Sequence, residues 1–290
     1  MKLALIAHPE KYLLKESLHS VLEWCAANQS VGYATETLYK TVDENRRDCL
    51  QPVQTEQEAV ASADLAVAIG GDGTMLFATQ IIRGHPIPIL GINCGRLGFM
   101  ANIQQDQIST ALDAVQNGTY RVDERTLLQA EINGGETFYA LNEFLFTKKD
   151  TASLITLKAS YDEVFINQYW ADGLIVASPT GSTAYNLSTG GPIVMPGTPV
   201  MVLTPINPHT LTTRPLVLPS DKSLTITVEE EPEHVLFSND GKISNIDTDK
   251  LNVRIKKSDH TVKLVQLQNQ NYFDTLRNKL MWGLDSRKKS

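Results

Sequence analysis

Cysteine is scarce in this sequence, and its pattern excludes a disulfide-rich secreted domain. The 290 residues contain three cysteines, an odd number, and no CxxC pair. This usage is typical of reduced thiols in a cytosolic protein, so we expect a cytoplasmic location. The six histidines are scattered, and none has the i, i+4 spacing of a helical metal site. We therefore expect no structural metal.

Long apolar runs and an excess of positive charge are also missing. No segment is long and apolar enough to span a bilayer, and the short apolar run at the start lacks the longer core and cleavage site of a signal peptide. The formal net charge is -7, which argues against nucleic acid as a partner. An anionic ligand must then be held by local groups rather than by a positive surface.

The first hundred residues alternate between strand and helix patterns. The runs KLALIA, ADLAVAIGG and PIPILGIN are typical of buried strands, and KESLHSVLEWCAA and TMLFATQIIR have helical spacing. Alternating strands and helices predict a Rossmann-like domain, in which a parallel sheet is covered by helices on its faces.

The pattern changes after about residue 120 to short strand-like segments separated by turns. RVDERTLLQAEI and TFYALNEFLFTK each read as one strand, NGGE (133–136) is typical of a hairpin turn, and KLNVRIKK and TVKLVQLQ read as two later strands. This predicts a β-sandwich. The helical end, NYFDTLRNKLMWG, is expected to return to the first domain. We assign 1–100 plus 270–290 to the α/β domain and 101–269 to the β-sandwich domain.

AVAIGGDGT (66–74) places a carboxylate among glycines where a buried strand ends and a helix begins. Ligands of parallel α/β sheets bind at the carboxyl ends of the strands. Gly70, Gly71 and Gly73 let a ligand approach the backbone, and amides near Gly73 can hold a phosphate. Asp72 is then a fixed carboxylate beside that phosphate. The alternative is that Asp72 merely caps the helix. No lysine follows, so the loop is not a Walker P-loop.

Two further segments place polar residues in apolar surroundings. The segment from Trp170 to Val194 concentrates small and hydroxyl residues in a long turn, which favours a shaped ligand loop over a flexible linker. Asn142 and Glu143 lie inside the apolar run YALNEFLF, where burial costs free energy unless the groups find partners. The alternative is that alternation turns both outward, or places Asn142 in an internal network.

These segments resemble one family. GGDGT (70–74) occurs in NAD kinases, diacylglycerol kinases and 6-phosphofructokinases. LNE (141–143), the run from Asp172 to Ile193 and YFDTLRNKLMWG (272–283) are similar to bacterial NAD kinases, and GINCGRLGFMANI (91–103) is similar to that family's segment at the domain join. The motifs keep the family order across almost the whole chain, which is identified as resembling the bacterial NAD kinases.

The resemblance implies an enzyme that moves a phosphate from ATP to the 2′-hydroxyl of the adenosine ribose of NAD, giving NADP and ADP. It implies Mg²⁺ or another divalent cation with the phosphate donor, NAD between the domains, and a homodimer or homotetramer in which NAD can touch a neighbouring subunit. It also implies that Asp72 is catalytic. The implied NAD-binding residues are Asp72, Gly73, Asn142, Glu143, Asp172, Thr180, Thr183, Ala184, Tyr185, Asn186 and Ser188.

Two positions depart from the family pattern. Trp170 stands where many members have arginine, and an indole can stack on a ring but cannot pair with a phosphate. Lys242 stands where some relatives have a neutral residue. Two other functions stay open at this point: a diacylglycerol-type lipid kinase that shares the GGDGT loop, and a non-catalytic regulator that binds a dinucleotide.

Overall fold

The computed structural model describes residues 1–8, 14–95, 98–149, 153–229, 234–244, 250–268 and 270–282. The chain forms two compact units, a first unit of Met1–Glu124 with Val262–Ser290 and a second unit of Arg125–Thr261. Among the described residues, no helix has the length and apolar character needed to cross a membrane.

The helices and strands follow one another in a fixed order along the chain. The stretch up to residue 120 contains β1 (Lys2–Ala7), α1 (Leu14–Ala27), β2 (Val31–Thr35), α2 (Glu36–Lys40), β3 (Leu50–Val53), α3 (Glu56–Ala61), β4 (Leu65–Gly70), α4 (Asp72–Ile82), β5 (Ile89–Asn93) and α5 (Ile108–Gln116). The later stretch contains β6 (Arg121–Ile132), β7 (Thr137–Ala140), β8 (Glu143–Lys148), β9 (Ile155–Tyr161), β10 (Val164–Ala171), β11 (Gly173–Ala177), α6 (Tyr185–Ser188), β12 (Val200–Ile206), β13 (Leu216–Pro219), β14 (Leu224–Val228), β15 (Val235–Asn239), β16 (Lys242–Ser244), β17 (Asn252–Gln266) and α7 (Tyr272–Leu280).

The first unit is built on a parallel sheet in the order β3-β2-β1-β4-β5. Every residue of β4 is buried, as expected for a strand covered on both faces. The predicted strands β1, β4 and β5 and the helices α1 and α4 are confirmed. The sequence patterns did not reveal β2 and β3, because VGYAT and LQPV are short and contain glycine or proline.

The first unit extends beyond the predicted boundary near residue 100. Helix α5 packs on α1, where Trp24 Nε1 donates to Asp113 Oδ1 at 2.7 Å, and Leu112 joins the core of this unit. The end of β17 pairs in parallel with β5 at Leu264 and Ile89. The unit boundaries therefore fall inside β6 and β17.

The last helix belongs to the first unit, as the sequence predicts. Asn271 caps α7 by accepting from the Asp274 amide, and the Lys279 ammonium lies 5.5 Å from the centre of the Phe99 ring. Gly283, the last residue of the motif YFDTLRNKLMWG, lies outside the described residues.

The second unit is a β-sandwich, as predicted. One sheet has the order β10-β9-β14-β17, with β6 and β7 beside β17, and the other has the order β13-β12-β11-β8-β15-β16. Their inner faces share one core, in which Phe144 and Phe237 of one sheet pack with Leu157 and Val253 of the other. The NGGE turn connects the antiparallel strands β6 and β7, which confirms the predicted hairpin.

Two strand predictions are corrected. TFYALNEFLFTK is not one strand, because β7 and β8 belong to different sheets and the chain crosses over at Leu141 and Asn142. Both halves keep the same alternation, so a pattern of period two does not show the change of sheet. KLNVRIKK and TVKLVQLQ, conversely, form the single strand β17, because the polar residues between them stay extended.

Candidate active site

The glycine-flanked aspartate lies at the carboxyl edge of the parallel sheet. β4 ends at Gly70 and α4 begins at Asp72, and Gly71 occupies the position that caps the helix. The helix-cap alternative for Asp72 is therefore wrong. Gly70 pairs with Asn93, so β4 and β5 end at the same level. The chain that follows β5 consequently passes beside the Asp72 side chain.

Three backbone amides hold the Asp72 carboxylate. Oδ2 accepts from the Phe99 amide at 2.8 Å, and Oδ1 accepts from the Met100 and Ala101 amides at 3.0 and 3.1 Å. A carboxylate offers about four acceptor positions. The three bonds fix its orientation and stabilise its negative charge, and among the described residues they leave one position on Oδ2 for a further donor such as a hydroxyl.

Gly98 makes this arrangement possible. A Cβ at position 98 would lie 2.2 Å from Asp72 Oδ1 and 2.9 Å from the Ala101 carbonyl oxygen. No side chain fits there unless the carboxylate moves. No pattern in GINCGRLGFMANI indicates that Gly98 faces Asp72. The contact joins two residues that lie 26 positions apart in the sequence, 72 and 98.

The start of α4 is open to a ligand. Gly73 is exposed, and an added Cβ would meet no atom within 4 Å. The first-turn amides of an α-helix carry partial positive charge and attract anions. The first unit therefore places a phosphate-compatible backbone next to the Asp72 carboxylate.

In the second unit, Asn142 and Glu143 lie where the chain crosses between the sheets. Both are buried, at 9% exposure each. Ala177, the last residue of β11, pairs with Glu143, and the Ser178 amide donates to the Asn142 carbonyl oxygen at 2.8 Å. A Cβ on Gly181 would lie 2.1 Å from that same oxygen. The polar pair and the start of the hydroxyl-rich loop are thus packed together.

Asp240 fixes this crossover, and the sequence patterns did not identify it. Its carboxylate accepts from the Leu141 and Asn142 amides at 2.7 Å each and from the Glu143 amide at 3.2 Å. Asp240 has φ 48° and Gly241 has φ 80°, at the turn between β15 and β16. An Asp-Gly pair is a hairpin signal, so the turn was predictable, but its partner about a hundred residues earlier was not.

Burial controls the charge of Glu143. Removal from water raises the pKa of its carboxyl to about 8, and the negative charge of Asp240 adds to the rise. Within the described part of the chain, no hydrogen-bond partner reaches the buried Oε2 atom. Glu143 is therefore protonated at neutral pH and keeps an unsatisfied polar atom, which a ligand hydroxyl or amide can satisfy.

The hydroxyl-rich loop has a fixed shape. Residues Gly181–Thr183 form a 3-10 turn, followed by α6. Asn186 is fully buried; its Nδ2 donates to the carbonyl oxygens of Ser182 and Pro192, and its Oδ1 accepts from Thr204 at 2.6 Å. The Asn186 side chain holds the loop together through protein contacts. This supports a shaped loop rather than a flexible linker.

The remaining loop residues form an inner and an outer group. Thr180 is buried, and its Oγ1 accepts from Arg125 Nη1 at 3.3 Å. Arg125 is a buried cation that no sequence pattern indicated. The Thr183 hydroxyl donates to the Thr180 carbonyl oxygen at 3.3 Å. The outer group has half-buried or exposed side chains: Thr183, Ala184, Tyr185 and Ser188.

Asp172 lies at the other end of β11 from this cluster. Gly173 pairs with Thr147 whereas Ala177 pairs with Glu143, so five residues of extended chain, about 16 Å, separate the two places. Lys148 pairs with Asp172 at 2.5 Å and Asn207 donates to it at 3.0 Å. These two contacts hold the pKa of Asp172 below its usual value. Asp172 therefore does not join Asn142 and Glu143 within one chain.

The two departures from the family pattern lie on the surface of the second unit. The Trp170 ring, 49% exposed, lies 4.5 Å from the His209 ring between centres. Lys242 is exposed at the start of β16.

A parallel α/β unit with a carboxylate at a glycine-rich helix start, combined with a β-sandwich unit that carries a polar loop, defines a two-domain kinase of the nucleotide-binding class. Residues 3–120 match the family described as the ATP-NAD kinase N-terminal domain, and residues 141–267 match the ATP-NAD kinase C-terminal domain. The chain belongs to the ATP-NAD kinase family. It is a phosphotransferase that acts on NAD, and neither the lipid kinase nor the non-catalytic regulator is favoured.

Individual relatives agree with this assignment. The chain is 44% identical over 231 residues to an NAD kinase of Flavobacterium johnsoniae, covering 78% of each chain. It is 42% identical over 236 residues to an NAD kinase of Cytophaga hutchinsonii, covering 80% of each.

Two solved structures share the fold. A yeast NADH kinase complexed with NADH superposes with a TM-score of 0.90 at 23% identity, covering 100% of this chain and 90% of that one. An NAD kinase from Archaeoglobus fulgidus in complex with ATP gives a TM-score of 0.74 at 24% identity, covering 96% of this chain and 99% of that one.

Proposed function

We propose that Asp72 orients the 2′-hydroxyl of the adenosine ribose of NAD for attack on the γ-phosphorus of ATP, giving NADP and ADP. The observation that carries this proposal is the arrangement of three backbone amides that fix the Asp72 carboxylate, with one acceptor position on Oδ2 that no other described residue takes. The relatives crystallised with NADH and with ATP bind ligands of the same chemical classes.

The transfer step follows from this geometry. Phosphoryl transfer passes through a loose transition state, so catalysis depends on positioning and on neutralising charge. Asp72 accepts the hydrogen bond of the ribose hydroxyl and takes its proton as the oxygen–phosphorus bond forms. The bond from the γ-phosphorus to the bridging oxygen breaks, and ADP leaves. Amides near Gly73 hold a phosphate group at the start of α4.

We assign Mg²⁺ to the substrate, as the magnesium complex of ATP. Mg²⁺ retains water and binds readily to phosphate oxygens, so it can enter with the triphosphate and neutralise part of its charge. The single acceptor position left on Asp72 then remains available to the hydroxyl.

The second unit supplies the groups that hold the dinucleotide. Asn142, the protonated Glu143 and Thr180 are buried polar residues of this unit, and the Glu143 Oε2 atom, unsatisfied among the described residues, is a group that a ribose hydroxyl can satisfy. The Tyr185 ring, 42% exposed, offers a face on which adenine can stack. The outer residues Thr183, Ala184 and Ser188 complete the contact surface, and Asn186 keeps the loop in shape.

We also propose a homodimer or homotetramer, in the cytoplasm. β10 is an edge strand and exposes Val164, Phe165 and Trp170 at 69%, 60% and 49%. These exposed apolar side chains on an edge strand support the choice of β10 as the interaction surface. Asp172, which is remote from Glu143 in its own chain, would then serve NAD bound to a neighbouring copy. Cys25, Cys49 and Cys94, all described residues, form no disulfide, which agrees with a reducing compartment.

An assay of NADP formation with purified protein tests the proposal. We expect NADP and ADP in equal amounts with NAD, ATP and Mg²⁺, and no NADP when the cation is chelated. Parallel reactions with other nucleoside triphosphates and with polyphosphate define the donor. Binding of NAD without any release of ADP would contradict the proposal.

A further inference from the structure

We propose that Asp240 is a positioning residue that sets Asn142 and Glu143 in the arrangement that binds the dinucleotide. This inference rests on the proposed function of that pair. Asp240 is not among the residues that the family resemblance implies. Its carboxylate contacts the backbone amides of residues 141–143, and its charge acts on Glu143.

The turn between β15 and β16 holds the crossover at residues 141–143 through several hydrogen bonds. The Asp240 carboxylate accepts from three consecutive amides, those of residues 141–143, at 2.7, 2.7 and 3.2 Å. The Asp240 amide in turn donates to the Glu143 carbonyl oxygen at 3.1 Å, and Asn239 Nδ2 donates to the Tyr139 carbonyl oxygen at 2.9 Å. The backbone that carries Asn142 and Glu143 is therefore fixed by one turn.

The requirement for a carboxylate comes from these amides and not from the turn. A position with φ 48° followed by a glycine accepts asparagine or glycine at least as well as aspartate. Neither of those residues can accept from all three N–H groups. Glycine has no side chain, and the NH₂ group of asparagine is itself a donor and would lie against a backbone N–H donor. The aspartate is explained by the crossover it holds.

Asp240 also affects the protonation of the neighbouring Glu143. Three amides donate to the Asp240 carboxylate, and its negative charge adds to the rise in the pKa of Glu143. Glu143 is buried beside that charge and keeps its proton. Loss of the Asp240 charge is therefore expected to alter the orientation of Glu143 and to remove the smaller of the two causes that raise its pKa, burial being the larger.

Steady-state kinetics of Asp240→Asn test the inference. The variant keeps a turn-compatible residue but loses one acceptor and the charge. We expect the KM for NAD to rise about 10- to 100-fold, because a small displacement of a positioned group has effects of that size. The KM for ATP should change less than about twofold, since ATP is held by the other unit in the proposed function.

Asp162→Asn is the matched control. Asp162 also has positive φ, 51°, in a hairpin turn of the same unit, and it pairs with Lys222 on the surface. We expect wild-type kinetics from it, because exposed pairs contribute little. Asp240→Glu, which keeps the charge but moves the oxygens, should raise the KM for NAD less than Asp240→Asn does. It serves as the test variant if Asp240→Asn does not fold.

The outcomes separate this inference from the proposed function. An inactive wild-type protein would overturn the proposed function. An active wild-type protein with an unchanged KM for NAD in folded Asp240 variants would overturn the role of Asp240. Equal rises in both KM values, with a lowered Tm, would also overturn it, because they indicate general damage to the fold.

Discussion

The Asp72 side chain has two tasks at the scale of single residues. It fixes the amides of residues 99–101, and in the proposed mechanism it presents one acceptor position to the ribose hydroxyl. Both tasks need a carboxylate, because an amide would place an N–H₂ group against backbone N–H donors. The side chain that is proposed to take the proton is thus also part of the local fold.

Asp72→Asn is expected to lower kcat by about 10²- to 10⁴-fold, the usual effect of removing a general base. NADP formation and the Tm of the purified variant should be measured together, since the loss of an acceptor for the amides also lowers stability somewhat. A folded variant with near-normal kcat would remove Asp72 from the chemistry.

Glu143 gives the protein a pH-dependent stability. The pKa of its carboxyl is about 8 in the folded protein and 4.5 for an unperturbed glutamate, so the folded state holds the proton more tightly. The contribution to stability is complete below pH 4.5 and is lost as the pH rises to about 8. Glu143→Gln is expected to flatten the Tm profile over this range. Parallel Tm profiles for wild type and variant between about pH 5 and 9 would disprove the expectation.

At the scale of elements, the site depends on how loops meet at strand ends. β4 and β5 end at the same level of the sheet, so the segment after β5 lies against the first turn of α4. The approach is so close at position 98 that only glycine fits beside Asp72 Oδ1. Loop packing, rather than the GGDGT sequence alone, sets the direction of the carboxylate.

Gly98→Ala, a change in the segment after β5, should therefore displace the Asp72 carboxylate at the start of α4. The added Cβ would lie 2.2 Å from Asp72 Oδ1, and we expect a loss of about 10²-fold in kcat from the displaced carboxylate. Gly95→Ala, in the same segment, meets no atom within 4 Å and is the control. Equal kcat values for the two variants would show that the contact does not matter.

The sequence predicted the elements that have a long, regular period. The buried runs of β1, β4 and β5 and the apolar faces of α1 and α4 were readable because burial on one or both faces repeats along the chain. The GGDGT and LNE motifs were readable as local patterns. Three features could not be predicted from local patterns: the change of sheet at Leu141, the hydrogen bonds of Asp240 to the crossover, and the contact of Gly98 with Asp72. Each depends on a pairing between segments that are distant in sequence.

At the scale of the whole molecule, Asp172 is the residue that a single chain does not explain. It lies about five strand residues from Glu143 and is already paired with Lys148. In a closed oligomer, each copy can contribute a side chain to the site of another. The proposed assembly and the proposed role of Asp172 therefore stand together.

Co-expression of Asp72→Asn with Asp172→Asn tests that link. Each variant alone is expected to be nearly inactive, whereas mixed oligomers contain some sites with both wild-type side chains and should recover part of the activity. Size-exclusion chromatography should show one oligomeric species throughout. A monomer in solution, or an Asp172→Asn variant with full activity, would contradict the role across subunits.

The crossover at residues 141–143 has a consequence for ligand encounter. Its amides are held by Asp240 inside the sandwich, and the side chains of Asn142 and Glu143 are buried at 9% exposure. The loss of backbone entropy that ordering this segment requires occurs when the sandwich folds and not at the proposed binding of NAD. Hydrogen exchange at these three amides should consequently be slow in the free protein, and the proposed association of NAD with this pair needs no local folding step.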